Sequence, residues 1–451
     1  MSSVDPRRPL PIQSTLIVGG GPGGLGPLLW AAQKGCLEEW LDRGVTVVER
    51  SGRLGGTLGR YSIDSDSLGG SYLECLESAS LPPALLRLRQ DPLTEEMRRH
   101  REGFPPLPLV NRFMGRIGQA LATMLRHRRR CALHLDTTVE ALRLRRDGTV
   151  AARVRSGIRR QTLLAKAAVV AVGGRELFGE VEFAPGLRLT DCDLRHVISS
   201  CRLLTHAGLG EADELLRNAD GRRIVILGGS HSAYAAAWAL LELPGAQSLV
   251  DGQVAIVQRR APRVFYPDRA AAEADDYAIA PGDICARTGR VNRMGGLRGH
   301  GRDIWRRIAR RPDVAAESRV AIHQLDEFSP AALRAEVEQA ALVVPCFGYR
   351  SATVPIFGPS GERLRLAADD NRVAVSPSCR LLLADGAELP NIFGVGLGTG
   401  FRPNESMGCE ANFDGQANSL WLYQNDIGGL IYRGIQGLES TPERPLASAA
   451  D

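Results

Sequence analysis

The chain has 451 residues, 44% of them hydrophobic and 24% charged, and a formal net charge of +5. That is long for a single core and predicts two or three domains. Lysine occurs only at Lys34 and Lys166, so the basic charge is arginine spread over the chain, which disfavours both Schiff-base catalysis and a nucleic-acid surface.

Residues 1–13 read as a flexible tail. Leu16-Ile17-Val18 then forms an apolar strand that runs directly into Gly19-x-Gly21-x-x-Gly24. An apolar helical stretch follows over Leu25 to Leu41, and a second strand, Val45 to Val48, ends in Glu49. This is a βαβ unit with a dinucleotide fingerprint. Gly19 permits the tight turn, Gly21 lets backbone approach a pyrophosphate, and Gly24 lets the helix lie close on the strand. The helix N-terminus offers free N–H groups to phosphates. Glu49 stands where a carboxylate can take both ribose hydroxyls.

A second glycine-rich loop, Leu54-Gly55-Gly56-Thr57, comes soon after, able to lie against a flat ring or a phosphate. The polar run Ser62 to Ser71 reads equally as an exposed linker or as the lining of a reaction site. Val110 to Arg126 has helical periodicity. Strands are expected at Leu133 to Leu135, Val139 to Leu142, Val150 to Val154 and Gln161 to Leu164, with a hairpin turn at Ser156-Gly157. Ala167 to Gly174 reads as a further, buried strand ending in paired glycines.

The opening pattern then recurs. Arg223 to Leu227 is a strand, Gly228-Gly229-Ser230-His231-Ser232 the turn, Tyr234 to Leu243 a helix, and Val254 to Gln258 the second strand. Gly19 precedes Glu49 by 30 positions, and Gly228 precedes Gln258 by 30. The second unit carries Arg259 and Arg260 beside Gln258 where the first has Glu49. Arginines pair with a 2′-phosphate and a carboxylate repels it, so this unit is expected to take NADPH and the first FAD or an NAD-like ribose. Arg298 to Arg310 is an expected helix. Leu342 to Gly348 echoes the strand ending at Gly173, and Asn391 to Gly396 is a late strand. Residues 439–451 read as a second tail.

Nine cysteines are dispersed without a CxxC or CxxxxC pair, which favours reduced thiols in the cytoplasm and disfavours thiol–disulfide chemistry. Eight histidines show no ligand spacing, so no metal site is expected. No apolar run approaches the about 20 residues of a membrane span.

Two such units, each followed by a strand ending in glycine, resemble the two-dinucleotide-binding flavoprotein superfamily, and within it the class B flavin-dependent monooxygenases of the flavin-containing and N-hydroxylating type. The resemblance covers residues 14 to 435. It implies an α/β fold of two Rossmann-like domains, an FAD domain (14–205 and 351–438) with an inserted NADPH domain (206–350). It implies FAD held by Gly19, Gly21, Gly24, Glu49, Gly55, Gly56, Thr57, Val139, Gly173, Gly394 and Gly396. NADPH would be held by Gly228, Ser230, Ser232, Arg259, Arg260 and Gly348.

The implied activity is oxygenation of a small molecule by a C4a-hydroperoxyflavin formed with molecular oxygen, by N- or S-oxygenation or Baeyer–Villiger insertion. The family's usual Asn-Thr/Ser pair falls on Asp66-Ser67, and the substrate is expected near Tyr61, Asp66, Ser67 and Asn404. The Phe-x-Gly-x-x-x-His fingerprint is not intact, since Asp193 to Val197 retains only His196. Two other readings stay open: an NADPH-dependent reductase passing electrons to a quinone, a protein or an unsaturated bond, and a flavoprotein fold kept as a binding module. A homo-oligomer is also left open.

Overall fold

A computed structural model describes residues 12–440. Its elements fall into two α/β modules. The first is built on a nine-stranded sheet with Ile12–Val18 near the middle. Val45–Val48 pairs with it in parallel on one side and Arg159–Val170 on the other, so Thr15 lies between Val45 and Ala167. Ala132–His134 extends one side and Glu388–Gly394 joins Arg159–Val170 in parallel on the other.

A strand enclosed in this way buries both faces, which is why Leu16-Ile17-Val18 is apolar without alternation. Ile17, Val45, Val47 and Val169 face the helices Pro22–Gln33, Leu107–Arg126 and Asp426–Ser440. Leu16, Val18, Val48 and Ala168 face the opposite layer, made of Thr138–Leu144, Val150–Ser156 and Arg380–Leu382. The period of two thus separates two cores across one sheet.

The second module is a four-stranded parallel sheet in which Ile224–Leu227 lies between Val254–Gln258 and Leu342–Pro345, with Val320–Gln324 at the edge. Short strands Gly174–Glu176 and Tyr349–Ser351 pair antiparallel where the chain enters and leaves this module. The module recruits residues ahead of 206: Val197 bridges Val343, and Ile198 and Leu203 lie in its core.

Several boundaries differ from expectation. The stretch Leu25 to Leu41 is not one helix. Pro22–Gln33 ends at Lys34, Gly35 takes φ +74°, and a new helix begins at Leu37. Gly35 in the left-handed region acts as a stop that the apolar pattern alone conceals. Residues 12 and 13, assigned to the tail, pair with Leu164 and Ala165. Gln161 to Leu164 and Ala167 to Val170 form one strand, Arg159–Val170, whose first half pairs with the hairpin and whose second half pairs with Ile12–Val18. The hairpin turns at Gly157-Ile158, between Ser156 and Arg159. The C-terminal helix runs through residues 439 and 440, and the remainder of both expected tails lies outside the described residues. No described helix is long and apolar enough to cross a membrane.

Glu317 fastens the second module's edge. Its carboxylate, 4% exposed, pairs with Arg307 at 2.8 Å and Arg319 at 2.7 Å. The hydrogen bonds from Arg319 and the charge of Arg307 hold its carboxyl below the usual glutamate range. A depressed acid stabilises the fold above its unfolded value, about 4.3, and that contribution is lost as pH falls through the folded value. Glu317→Ala is expected to cost about 1–3 kcal/mol at neutral pH, because it removes charge-assisted hydrogen bonds from two part-buried guanidinium groups. The gap from wild type should narrow below about pH 4 in denaturant titrations across pH.

Candidate active site

The first turn is sterically committed to glycine. A Cβ at Gly19, where φ is +103°, would lie 2.3 Å from the Ala171 carbonyl oxygen, and one at Gly24 would lie 1.8 Å from that of Gly19. The helix it opens has Pro22 in its first turn and no side-chain cap. Its N–H groups and partial positive charge are therefore left for a ligand. Gly23 approaches Gly396, a Cβ there falling 3.2 Å from the Gly396 Cα, and Gly56 packs on Pro22. Three glycine loops thus meet at one open helix end, a cradle that any side chain would fill.

Glu49 is fixed beside it. One carboxylate oxygen accepts from the Gly20 N–H at 2.7 Å, the other from the Ser51 N–H and hydroxyl at 2.8 Å. Gly55 is pinned against Met114, where a Cβ would lie 2.7 Å from its carbonyl oxygen. Val139 is buried on the strand that pairs with Val150–Ser156, and Thr57 is exposed. Gly173 takes φ +75° and lies against Gly398. Gly394 serves packing: its missing Cβ would strike Leu381 at 2.7 Å.

The second turn repeats the first in its contacts. A Cβ at Gly228 would lie 2.6 Å from the Cys346 carbonyl oxygen, as one at Gly19 would strike Ala171. At Gly229 it would lie 2.7 Å from the Gln258 Cβ, so this glycine, which the motif reading passed over, is needed for the close approach. Ser230 precedes the helix His231–Leu241 without capping it, and Ser232 lies in its first turn. A cavity of 580 Å³ opens here, lined by Gly228 to His231, Gln258 to Arg263 and Phe347. Gln258 is turned inward by the Tyr234 hydroxyl, which donates to it at 2.9 Å. Arg259 and Arg260 remain exposed on the rim, Arg259 donating to the Glu182 carbonyl at 3.0 Å. Gly348 takes φ +84° with open space beside it.

A second cavity, of 570 Å³, lies on the seam between the modules. The first module contributes Asp66 to Leu68, Glu74, Ala417 to Ser419 and Trp421. The second contributes Ser230, His231 and the loop around Arg290 to Arg298. Ser230, His231 and Gly295 line both cavities, so the second glycine turn opens directly onto the seam. The polar run after the first unit therefore lines a cavity from Asp66 onward. The Ser67 hydroxyl donates to the Asp66 carboxylate at 3.3 Å, and Arg298 donates to the Asp66 carbonyl at 3.1 Å. Burial pushes His231 down toward its neutral form.

Tyr61 and Asn404 are not brought to this cavity. The Tyr61 hydroxyl donates to the Cys201 sulfur at 3.4 Å, and that sulfur lies 2.9 Å from the Tyr349 hydroxyl. Burial pushes Tyr61 up to about 12. Asn404 precedes a short turn and accepts from the Ser406 hydroxyl at 2.7 Å.

Asn418 and Trp421 line the cavity instead, and Glu410 holds its loop. In the amide orientation that satisfies both groups, Asn418 donates to the Gly396 carbonyl at 2.8 Å and accepts from Arg372 at 2.6 Å. Trp421 donates its indole N–H to Glu74. Glu410, 2% exposed, accepts the backbone N–H groups of Arg293 and Met294, the latter at 3.3 Å. Neither spacing nor composition marks these, because each acts through a contact between distant segments.

No protein-family model matches the chain. Among the solved structures that share its fold are two flavoenzymes. One is a cadaverine monooxygenase of the desferrioxamine pathway from Erwinia amylovora, solved with FAD, 14% identical with a TM-score of 0.58 over 98% of each chain. The other is an ornithine N-hydroxylase from Kutzneria sp. 744, solved with reduced FAD, NADP+ and L-ornithine. It is 15% identical with a TM-score of 0.54 over 95% of this chain and 100% of that one. The two α/β modules, each opened by a glycine turn, give the chain the fold of these two flavoenzymes. A CMP-5'-(3-aminopropyl)phosphonate hydroxylase of Streptomyces rubellomurinus is 33% identical over 452 residues, 95% of this chain and 99% of its own. The chain belongs to the family of that hydroxylase and is an oxidoreductase.

Burial also raises the Cys201 thiol, leaving little thiolate at neutral pH. Cys201 is expected to react with iodoacetamide at pH 8 more slowly than a free thiol, as read by peptide mass spectrometry over time.

Proposed function

We propose that the chain is an FAD- and NADPH-dependent monooxygenase that hydroxylates the nitrogen of a primary amine carried on a phosphonate or nucleotidyl phosphonate. The observation that carries this is the continuity of the second glycine-turn cavity with the charged seam cavity through Ser230 and His231. The substrate class follows the family relative, whose name gives an aminopropylphosphonate joined to CMP.

In this reading Gly19, Gly21, Gly24, Glu49, Gly55, Gly56 and Gly396 hold FAD, with Thr57, Val139, Gly173 and Gly394 shaping the surrounding backbone. Gly228, Ser230, Ser232 and Gly348 hold NADPH, and Arg259 and Arg260 take its 2′-phosphate. Bound together, the two cofactors supply oxygen activation and hydride. The overall change is amine, oxygen, NADPH and a proton to hydroxylamine, water and NADP+. The attacking nitrogen needs a free lone pair. Asp66, steadied by the Ser67 hydroxyl, anchors the ammonium and accepts its proton. His231, held neutral by burial, stands near as a second acceptor. The nine cysteines, none in a disulfide, fit a cytoplasmic enzyme.

Incubation with NADPH, CMP-5'-(3-aminopropyl)phosphonate and isotopically heavy oxygen is expected to give a product bearing one heavy oxygen on nitrogen. Peroxide with unmodified amine would sink the proposal. Arg259→Ala with Arg260→Ala should raise the KM for NADPH about tenfold or more and leave that for NADH nearly unchanged, because only NADPH loses charge-assisted hydrogen bonds.

A further inference from the structure

The seam cavity is lined by Asp66, Glu74, Glu77 and Glu102, yet three of its arginines form no ion pair with them. Arg290, Arg293 and Arg298 line it from a single loop, and among the described residues no carboxylate lies within ion-pairing distance of any of them. Arg101, on the same wall, contrasts with them in being paired to Glu77 at 2.7 Å.

The partners of Arg293 and Arg298 are carbonyl oxygens, ring faces and, for Arg293, the Cys285 sulfur at 3.7 Å. Arg298 donates to the carbonyls of Asp66 and Arg293 and lies 4.2 Å over Phe265. Arg293 donates to the Met407 carbonyl at 3.0 Å and lies 4.9 Å over Trp421. The Arg290 backbone N–H donates to the Thr288 hydroxyl at 3.5 Å. Burial pulls Arg298 down to about 10, the Asp66 and Glu410 charges opposing the shift and the Arg290 and Arg293 charges adding to it.

The loop is also held in place. Glu410 takes the N–H groups of Arg293 and Met294, and Asn292, 1% exposed, donates to the Val264 carbonyl at 3.0 Å. Like charges gathered on a fixed loop, facing a cavity, are costly until an anion enters.

We propose that Arg290, Arg293 and Arg298 form a binding site for a phosphorus oxyanion of the amine substrate, the phosphate or phosphonate group distant from the nitrogen that is oxidised. This rests on the amine-hydroxylase reading and adds the residues that select the substrate's anionic end. Guanidinium forks match such oxyanions in geometry and charge. The oxyanion held on the second module's loop leaves the amine free to extend toward Asp66, across the seam.

The test is calorimetric titration of the FAD-loaded enzyme with 3-aminopropylphosphonate, CMP, propylamine and NADP+. Arg290→Gln and Arg298→Gln are expected to weaken 3-aminopropylphosphonate or CMP by about tenfold or more, the loss of a charge-assisted hydrogen bond. Propylamine and NADP+ should bind as in wild type. Weakening of 3-aminopropylphosphonate alone identifies the phosphonate as the bound group, and of CMP alone the phosphate.

Arg290 lies on the loop surface, so its variant tests the proposal even where Arg298→Gln fails to fold. Unchanged affinity for both oxyanions in Arg290→Gln overturns the site, as does an equal loss of NADP+ affinity, which would assign the arginines to the cofactor. Arginine-dependent oxyanion binding without amine oxygenation would refute the hydroxylase reading and leave the site standing. Oxygenation with oxyanion affinity indifferent to the arginines would do the reverse.

Discussion

The close approach of helix to strand at Gly19 and Gly24 is the constraint on which the first module depends. A Cβ at Gly24 would sit 1.8 Å from the Gly19 carbonyl oxygen, inside any van der Waals contact. Glycine there sets the depth at which the helix Pro22–Gln33 lies on the sheet. That depth brings Gly23 against Gly396 and Pro22 against Gly56, segments far apart in sequence. The carboxylate of Glu49 completes the turn by accepting the Gly20 N–H. One steric requirement thereby places three loops and an acid around one open helix end.

The second module solves the same problem differently. Gly228 and Gly229 reproduce the approaches of Gly19 and Gly20, to Cys346 and Gln258 instead of Ala171 and Glu49. Ala233, however, stands where Gly24 stands in the first turn, so here the helix tolerates a methyl group. The acid is replaced by Gln258, which Tyr234 draws into the core. The removal of that carboxylate from the groove leaves Arg259 and Arg260 to set the sign of charge at its rim.

This much was legible because it is local. Strand, glycine spacing, helix and terminal residue lie within about one βαβ unit, and the physics of each is written in adjacent residues. The seam was not legible for the opposite reason. Asp66 and Ser67 reach it, but Tyr61, five residues before Asp66, turns instead to Cys201 and Tyr349. Asn418 meets Gly396 and Trp421 meets Glu74 only when distant segments of the first module come together, and Glu410 meets Arg293 only when the two modules do. Such pairings have no period and no motif. Even the break at Gly35 escaped, because the apolar pattern continues on both sides of it.

Composition hid the seam's charge as well. In a chain whose basic residues are nearly all arginine, any single arginine reads as background. The structure separates them by their partners. Arg307 and Arg319 are spent on Glu317, Arg306 on Asp275, and Arg402 on Asp369. Each of these pairs fastens one part of the fold to another, so its charge is neutralised where it stands. Arg293 and Arg298 instead lean on carbonyls and aromatic rings, and Arg290 beside them has no ion-pair partner among the described residues. A fixed cation with no ion-pair partner beside a cavity is arranged for an anion that arrives from outside. Residue type alone carries no such distinction; the partners of each arginine do.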